Sequence, residues 1–423
     1  MTLVETVAEQ RGSRVANDGN GSWRVSRVSE LAKVISGYPF DSSKFAEEGW
    51  PLIRIRDLDG SVTETHFGGD PVGSALVTQD DVLIGMDGDF NIGRWRSARP
   101  ALLNQRMLAL RGPRDLMTVL RHALAEPLQI INDMTYATTV KHLSIGQVRS
   151  IRIALPTDPE EMSALARFLD RETAEIDSFI QDQEELIRLL RERRVSTISR
   201  AVTRGLNDEV PLRDSGVSWL GAVPASWTVR PLWSMFRKIK DTGHPEEVML
   251  SVFRDHGVVE KGSRENLNKT AENRDIYQLI HPGWLVANRM KAWQGSVGIS
   301  PSRGIVSGHY ICFKPLHSES DAYLNLLFRS RPYADGYGTL SRGVRVGQAE
   351  IDNDQYRLLP VLVPPLAEQR QIVASLAEEL ADIDAMLEDA DQSITLSRER
   401  RGAIVSAAMA QTLDLHEELG DVA

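Results

Sequence analysis

Apolar positions along the chain follow two different rhythms. Between residues 376 and 394, Leu376, Leu380, Ile383, Leu387, Ala390 and Ile394 recur at alternating steps of four and three. That spacing keeps a narrow stripe on one side of a helix, as in the seam of a coiled coil. The same line runs through Leu169, Thr173, Ile176, Ile180, Gln183, Ile187 and Leu190. Two long helices are therefore expected, over 155–204 and 362–415. At 1.5 Å per residue, forty helical residues span roughly 60 Å. A narrow seam suits burial against one partner, so matching seams predict that the two helices pair with each other, antiparallel about a pseudo-twofold axis. A helical hairpin packed on its own domain is the alternative. Pro156, Pro159, Pro364 and Pro365 stand where each helix should begin, a place where proline's missing N–H costs nothing.

Elsewhere the rhythm is shorter. Runs such as "GWPLIRIRDL", "ALVTQDDVLIGM" and "GIVSGHYICFK" read as brief strands, and "DLMTVLRHALAE" and "DAYLNLLFRS" as helices. The globular parts are thus mixed α/β, and the whole chain is of the α+β class. It is also a duplication. At an offset of 207, Glu161 falls on Glu368, Leu169 on Leu376, Glu172 on Glu379 and "RERR" at 191–194 on "RERR" at 398–401. More faintly, Trp23 falls near Trp227, and "DDVLIGMDGDFNIGRW" resembles "PGWLVANRMKAWQGSV" as strand, turn, strand. A period near 200 exceeds any solenoid repeat, so each copy is a globular domain followed by a helix. The boundaries predicted are a first domain over 1–154 with a loose leader at 1–20, a helix at 155–204, a linker and second domain over 205–361, a helix at 362–415 and a tail at 416–423.

Composition adds limits. The chain has 423 residues, 42% of them hydrophobic and 26% charged, which suits a globular protein of two to three domains. One cysteine, Cys312, excludes a disulfide framework and fits a reducing cytoplasm. No stretch approaches the ~18 apolar residues of a membrane helix, and the start lacks the pattern of a signal peptide. The net charge of −10 is unevenly spread. Residues 91–114 hold six arginines and no acid; residues 286–314 hold two arginines, two lysines and no acid; Asp158 to Glu185 holds ten acids and two arginines. A ligand feels the field within roughly 8–10 Å, so basic globular parts and acidic helices predict two kinds of partner.

Motifs for catalysis are missing: there is no P-loop, no strand followed by G-x-G-x-x-G, no H-E-x-x-H and no G-x-S-x-G. No Asp or Glu precedes a Lys by two positions, and the Asn/Asp-Pro-Pro-aromatic loop of amino-methyltransferases is absent. A non-catalytic chain without metal or cofactor of its own is expected. What remains is chemistry that reads nucleic acid. Arg94, Arg96, Arg99 and Arg106 surround Asn104 and Gln105, and Arg, Asn and Gln can pair bidentately with guanine or adenine edges. Asn288, Arg289, Lys291, Gln294 and Arg303 offer similar groups in the second half. Lys141 and His142, and Arg342 and Arg345, recur shortly before each long helix. Taken singly, each is more simply a solvated surface residue, and Trp95 and Trp293 are more simply core than stacking platforms. The recurrence of such clusters in both halves favours DNA contact. On the acidic helices, Glu172, Glu175, Glu379 and Asp382, with apolar neighbours Phe168 and Leu186, are candidates for binding partner proteins.

The stretches "PPLAEQRQIVASL…IDAML", "LPTDPEEMSALARFLDRETAEIDSFI", "DDVLIGMDGDFNIGRW…ALLNQR" and "VKHLS" give the chain its resemblance to the specificity (S) subunits of type I restriction–modification systems. The first hinge departs from the fuller "VPPLAEQ" of the second, and "ALLNQR" has no literal copy in the second domain. The resemblance implies two target-recognition domains joined by two antiparallel helices, each domain reading half of an asymmetric bipartite site on double-stranded DNA. It implies that the helices hold the half-sites apart and dock two methyltransferase (M) subunits, with two restriction (R) subunits in the full complex. It further implies that S-adenosylmethionine, ATP and Mg²⁺ serve those partners and not this chain. The competing reading is a non-catalytic coiled-coil scaffold with two protein-binding ends, and a methyltransferase-only or fused system of the same architecture is a third.

Overall fold

A computed structural model describes residues 23–135, 141–254, 256–263, 274–342, 350–351 and 353–410. The chain forms two compact units, residues 1–183 with 392–423, and residues 184–391.

In the first unit a four-stranded antiparallel sheet runs in the order Lys33–Ser36, Met107–Arg111, Val82–Gly85, Ile92–Arg94. Its middle strands are buried on both faces, and their alternation sorts them into two cores. Val82, Ile84, Leu108 and Leu110 join a core with the helices Arg114–Ala123 and Ala125–Met134. Leu83, Met107 and Ala109 face Ile53, Trp95 and Leu103 on the other side. A second sheet, which includes Trp50–Ile53 parallel to Ala101–Leu103, completes that side. Trp23–Arg27 pairs antiparallel with Arg152–Pro156, so the strand that opens the domain is stapled to the strand that leaves it.

The second unit repeats this plan. Its four-stranded sheet runs Phe236–Ile239, Tyr310–Pro315, Leu285–Asn288, Val297–Ile299, and Thr228–Pro231 pairs with Pro360–Val363. The core is aromatic: Tyr323, Tyr333, Tyr337 and Tyr356 are wholly buried. Tyr333 spends its hydroxyl on the exit strand, donating to the Pro360 carbonyl at 2.9 Å and accepting from the Leu362 N–H at 3.1 Å.

Each exit strand leads into a long helix, Pro159–Arg204 and Leu366–Met409. Asp158 caps the first, its carboxylate accepting from the Glu160 N–H at 3.2 Å. Gly205, at φ +80°, ends it, because the turn that follows needs the left-handed backbone. Of the predicted seam positions, Leu169, Thr173, Ile176, Ile187, Leu190, Leu376, Ile383, Ala390 and Ile394 are buried, and Ile180, Gln183, Leu380 and Leu387 are half-buried. Thr173 satisfies its hydroxyl by donating to the Leu169 carbonyl at 2.6 Å. Within the second unit Arg194 pairs with Asp384 at 3.2 Å, Thr197 donates its hydroxyl to Glu379 at 3.2 Å, and Gly205 lies against Glu368. Numbers rise in one helix as they fall in the other, so the segments there are antiparallel. In the first unit Arg401 pairs with Asp177 at 2.9 Å, while Ala408 packs in the core that holds Leu165 and Leu169. One expectation fails. Phe168, read as an outward-facing apolar residue, is 3% exposed, because the first turns of its helix are embedded in the domain core.

The hinge of the second helix shows why "PPLAEQ" has that composition. Glu368 accepts the Trp227 indole N–H at 3.0 Å. Gln369 is fully buried; it accepts from the Ser320 N–H at 2.9 Å and donates to Glu319 at 2.7 Å and to the Pro364 carbonyl at 2.9 Å.

Candidate nucleic-acid interface

Antiparallel register divides the acid-free arginine stretch of the first unit between two ends of one sheet. Arg94 lies opposite Val82, whereas Arg106 precedes Met107, which lies opposite Gly85. Arg94, Arg96, Arg99 and Arg106 therefore do not form one cluster around Asn104 and Gln105, as the sequence suggested.

At the first end, the arginines answer groups of their own chain. Arg94 lies 3.7 Å from Asp170 on the long helix, Arg96 is paired with Asp59, and Arg99 donates to the Gly49 carbonyl at 2.6 Å. Trp95 is buried and donates its indole N–H to the Arg99 carbonyl at 2.7 Å. Asp170 also meets Arg121 at 2.9 Å and His122 at 3.5 Å. The hydrogen bond from His122, helped by Arg121 and Arg94, holds the Asp170 carboxyl down at about 2 against burial. Burial also lowers the His122 imidazole from its usual value, which keeps it neutral.

At the second end, three loops meet. Met86 N–H donates to the Arg106 carbonyl at 2.9 Å, Leu143 N–H to the Met86 carbonyl at 2.7 Å, and Gly88 N–H to the Lys141 carbonyl at 3.1 Å. Lys141 donates to the Asn132 carbonyl and side-chain oxygen at 2.8 and 2.9 Å, so it braces the loop instead of reaching outward. His142 lies 2.7 Å from Asp87, and Arg106 lies 3.6 Å from the same carboxylate. Asn104 folds back to accept from the Gln105 N–H at 2.9 Å, and the Gln105 side chain is exposed. The sequence reading missed Asp87. Its signal was the "MDGD" turn after a buried strand, which a search for basic and amide residues passed over.

In the second unit Asn288 ends the matching strand and its side chain accepts from the Met290 N–H at 3.1 Å. Arg289 follows it and donates its backbone N–H to the His309 carbonyl at 3.3 Å. Lys291 and Gln294 are exposed, and Trp293 donates its indole N–H to the Met290 carbonyl at 3.0 Å. Arg303 is held by Glu247 at 2.7 Å. Arg342 lies in the short strand Ser341–Arg342, and Arg345 lies outside the described residues. On the helices, Glu175 and Asp382 are exposed, and Glu172 pairs with its neighbour Arg171 at 2.9 Å. Glu379 accepts from Arg193 and Thr197 and is part of the helix pair itself. No helix among the described residues is long and apolar enough to cross a membrane.

Residues 20–187 match the family described as the type I restriction modification DNA specificity domain. The type I restriction enzyme EcoBI specificity subunit of Escherichia coli is 35% identical over 192 residues, 44% of this chain and 40% of that protein. The match thus spans about two-fifths of the relative's length. A chain from a solved structure concerned with complex assembly and conformational transition of the type I R-M system superposes with a TM-score of 0.58 at 16% identity. The superposition covers 93% of this chain and 99% of the other, so the fold likeness extends through both units. Over residues 20–187, the chain is thus similar to the type I restriction modification DNA specificity domain.

Proposed function

We propose that this chain is the specificity subunit of a type I restriction–modification complex and reads an asymmetric, bipartite site on double-stranded DNA. The observation that carries the reading is the recurrence of one architecture. A DNA specificity domain is recognised over residues 20–187, and the same sheet order returns in the second unit. Two copies of a reading domain with different loops suit two half-sites of different sequence. Residues 1–154 and 205–361 would be the two readers, and Gln105, Arg106, His142, Lys291 and Gln294 are exposed on loops suited to contact.

Catalysis belongs, on this proposal, to partners: two methyltransferase subunits using S-adenosylmethionine, and two restriction subunits using ATP and Mg²⁺, in the cytoplasm. The acidic outer faces of the long helices, with exposed Phe179, Leu186, Leu189 and Met386, supply a surface for proteins and repel phosphate.

Mapping of methylated bases after assembly with the methyltransferase subunits tests this. The expected result is one motif of two constant blocks around a fixed gap, with duplex affinity that falls steeply as salt rises. The lone chain, given S-adenosylmethionine, ATP and Mg²⁺, should leave DNA unchanged. Salt-independent affinity, or methyl transfer by the lone chain, would overturn the proposal.

A further inference from the structure

We propose that Arg106, aimed by Asp87, which His142 holds in place, reads a guanine in the half-site taken by the first unit. This deepens the proposed DNA-reading function and rests on it.

The platform is rigid. Loops around residues 87, 106 and 142 are joined by backbone hydrogen bonds, and Asn132 ties two of them together through Lys141 and the Gly88 carbonyl. Arg106 itself sits at φ +68°, a left-handed backbone that a non-glycine residue adopts only when its surroundings hold it there. A reading side chain needs such support, because ordering a free arginine on binding consumes much of what the contact supplies.

Proton placement follows from geometry. His142 Nδ1 lies 2.7 Å from Asp87 and 3.2 Å from Arg106 Nη1. One ring nitrogen cannot donate to the first and accept from the second. The shorter contact, to an anion, takes the proton, and Asp87 then accepts from His142 and faces the guanidinium at 3.6 Å. Arg106 retains a side chain 56% exposed, with a planar fork of donors.

Charge decides between a base and a phosphate. Asp87, with Asp89 exposed two residues on, puts negative charge where a phosphate would have to approach. An arginine already matched by a carboxylate gains little from a phosphate, yet its donors still fit the O6 and N7 acceptors of guanine.

The second unit supplies an internal comparison. There the Arg289 N–H donates to the His309 carbonyl, the counterpart of the bond from Met86 to Arg106. The same backbone position thus presents an exposed histidine in one unit and arginine in the other. A shared frame with different side chains at one place is what two readers of different half-sites require.

Methylation mapping with the assembled complex tests the inference. Arg106→Lys keeps the charge and loses the fork, so discrimination for guanine at one position should fall by roughly 5- to 150-fold while the other half-site stays intact. Arg106→Asn, which tolerates the left-handed backbone, should relax the same position. Asp87→Asn should relax it more weakly. New methylation at relaxed sites cannot arise from misfolding. An unchanged motif in all three variants would overturn the inference. So would uniform weakening across sequences in Arg106→Asn, with the salt slope reduced by about 1 and the motif kept, since that marks a phosphate contact. Absence of any motif in the unsubstituted complex overturns the parent function as well, and is told apart because it needs no substitution.

Discussion

Asp170→Asn removes the one carboxylate that Arg94, Arg121 and His122 share, and with it the charge that ties the basic strand end to the long helix within the first unit. A carboxyl held at about 2 instead of 3.8 corresponds to about 2.4 kcal/mol, at about 1.36 kcal/mol per tenfold change in proton affinity. The side chain is 37% exposed, so solvent screening brings this to about 1 kcal/mol. Arg121 is only 10% exposed, and without Asp170 it stays close to Arg94 with Asp59 as the remaining carboxylate that acts on it. Stranding a fully buried charge costs about 3–5 kcal/mol; with the partner part-exposed, a total near 2 kcal/mol is expected for the substitution at pH 7.

Its pH dependence has a definite sign. Asp170 is depressed in the folded chain, so its contribution is complete above pH 3.8 and is lost as pH falls from 3.8 towards 2. His122 is lowered too, so the unfolded chain takes up that proton first, and stability drains as pH falls below 6.5 in both proteins. Urea unfolding, followed at low salt so that the charges are not screened, should show a gap of about 2 kcal/mol at pH 7 that closes between about pH 4 and 2. A gap of the same size at pH 2.5 and pH 7 would refute the electrostatic account.

Three further outcomes are expected. Gln369→Met copies the residue found at the equivalent place in the first repeat, Met162, and discards three hydrogen bonds. It should lower stability by about 2–3 kcal/mol in urea titration, whereas a change under about 0.5 kcal/mol would show that water replaces them. Burial pushes the Cys312 thiol up to about 12, so alkylation at pH 8 should be roughly a thousandfold slower in native than in urea-unfolded protein; equal rates would contradict its place in the core. Asp382→Lys, on an exposed face, should weaken methyltransferase assembly without altering unfolding, while Glu379→Lys should alter both because it breaks the bonds from Arg193 and Thr197. Normal assembly of Asp382→Lys would argue against the acidic face as the dock.

Much of the architecture is written in the sequence because its signals are local or periodic. The steps of four and three place Leu376, Ile383, Ala390 and Ile394 on the covered side of their helix, since a helix fixes which residues share a face. The duplication is equally legible, for identical spacings such as Glu161 to Leu169 and Glu368 to Leu376 need no fold to be seen. Phe168 is where periodicity fails: the rhythm says which side of the helix it occupies, and only the domain packed there says that the side is buried. The candidate site is the least legible part. Arg94 and Arg106 are twelve residues apart and look like one basic cluster, yet antiparallel register sends them to opposite ends of the sheet. Asp87, Arg106 and His142 are spread over 55 residues and meet because strand order brings their loops to one end. Sequence determines what each residue can do chemically and which helical face it shares. Pairing between strands distant in the chain decides which residues do it together, because such contacts depend on the sum of many weak long-range interactions that no local window contains.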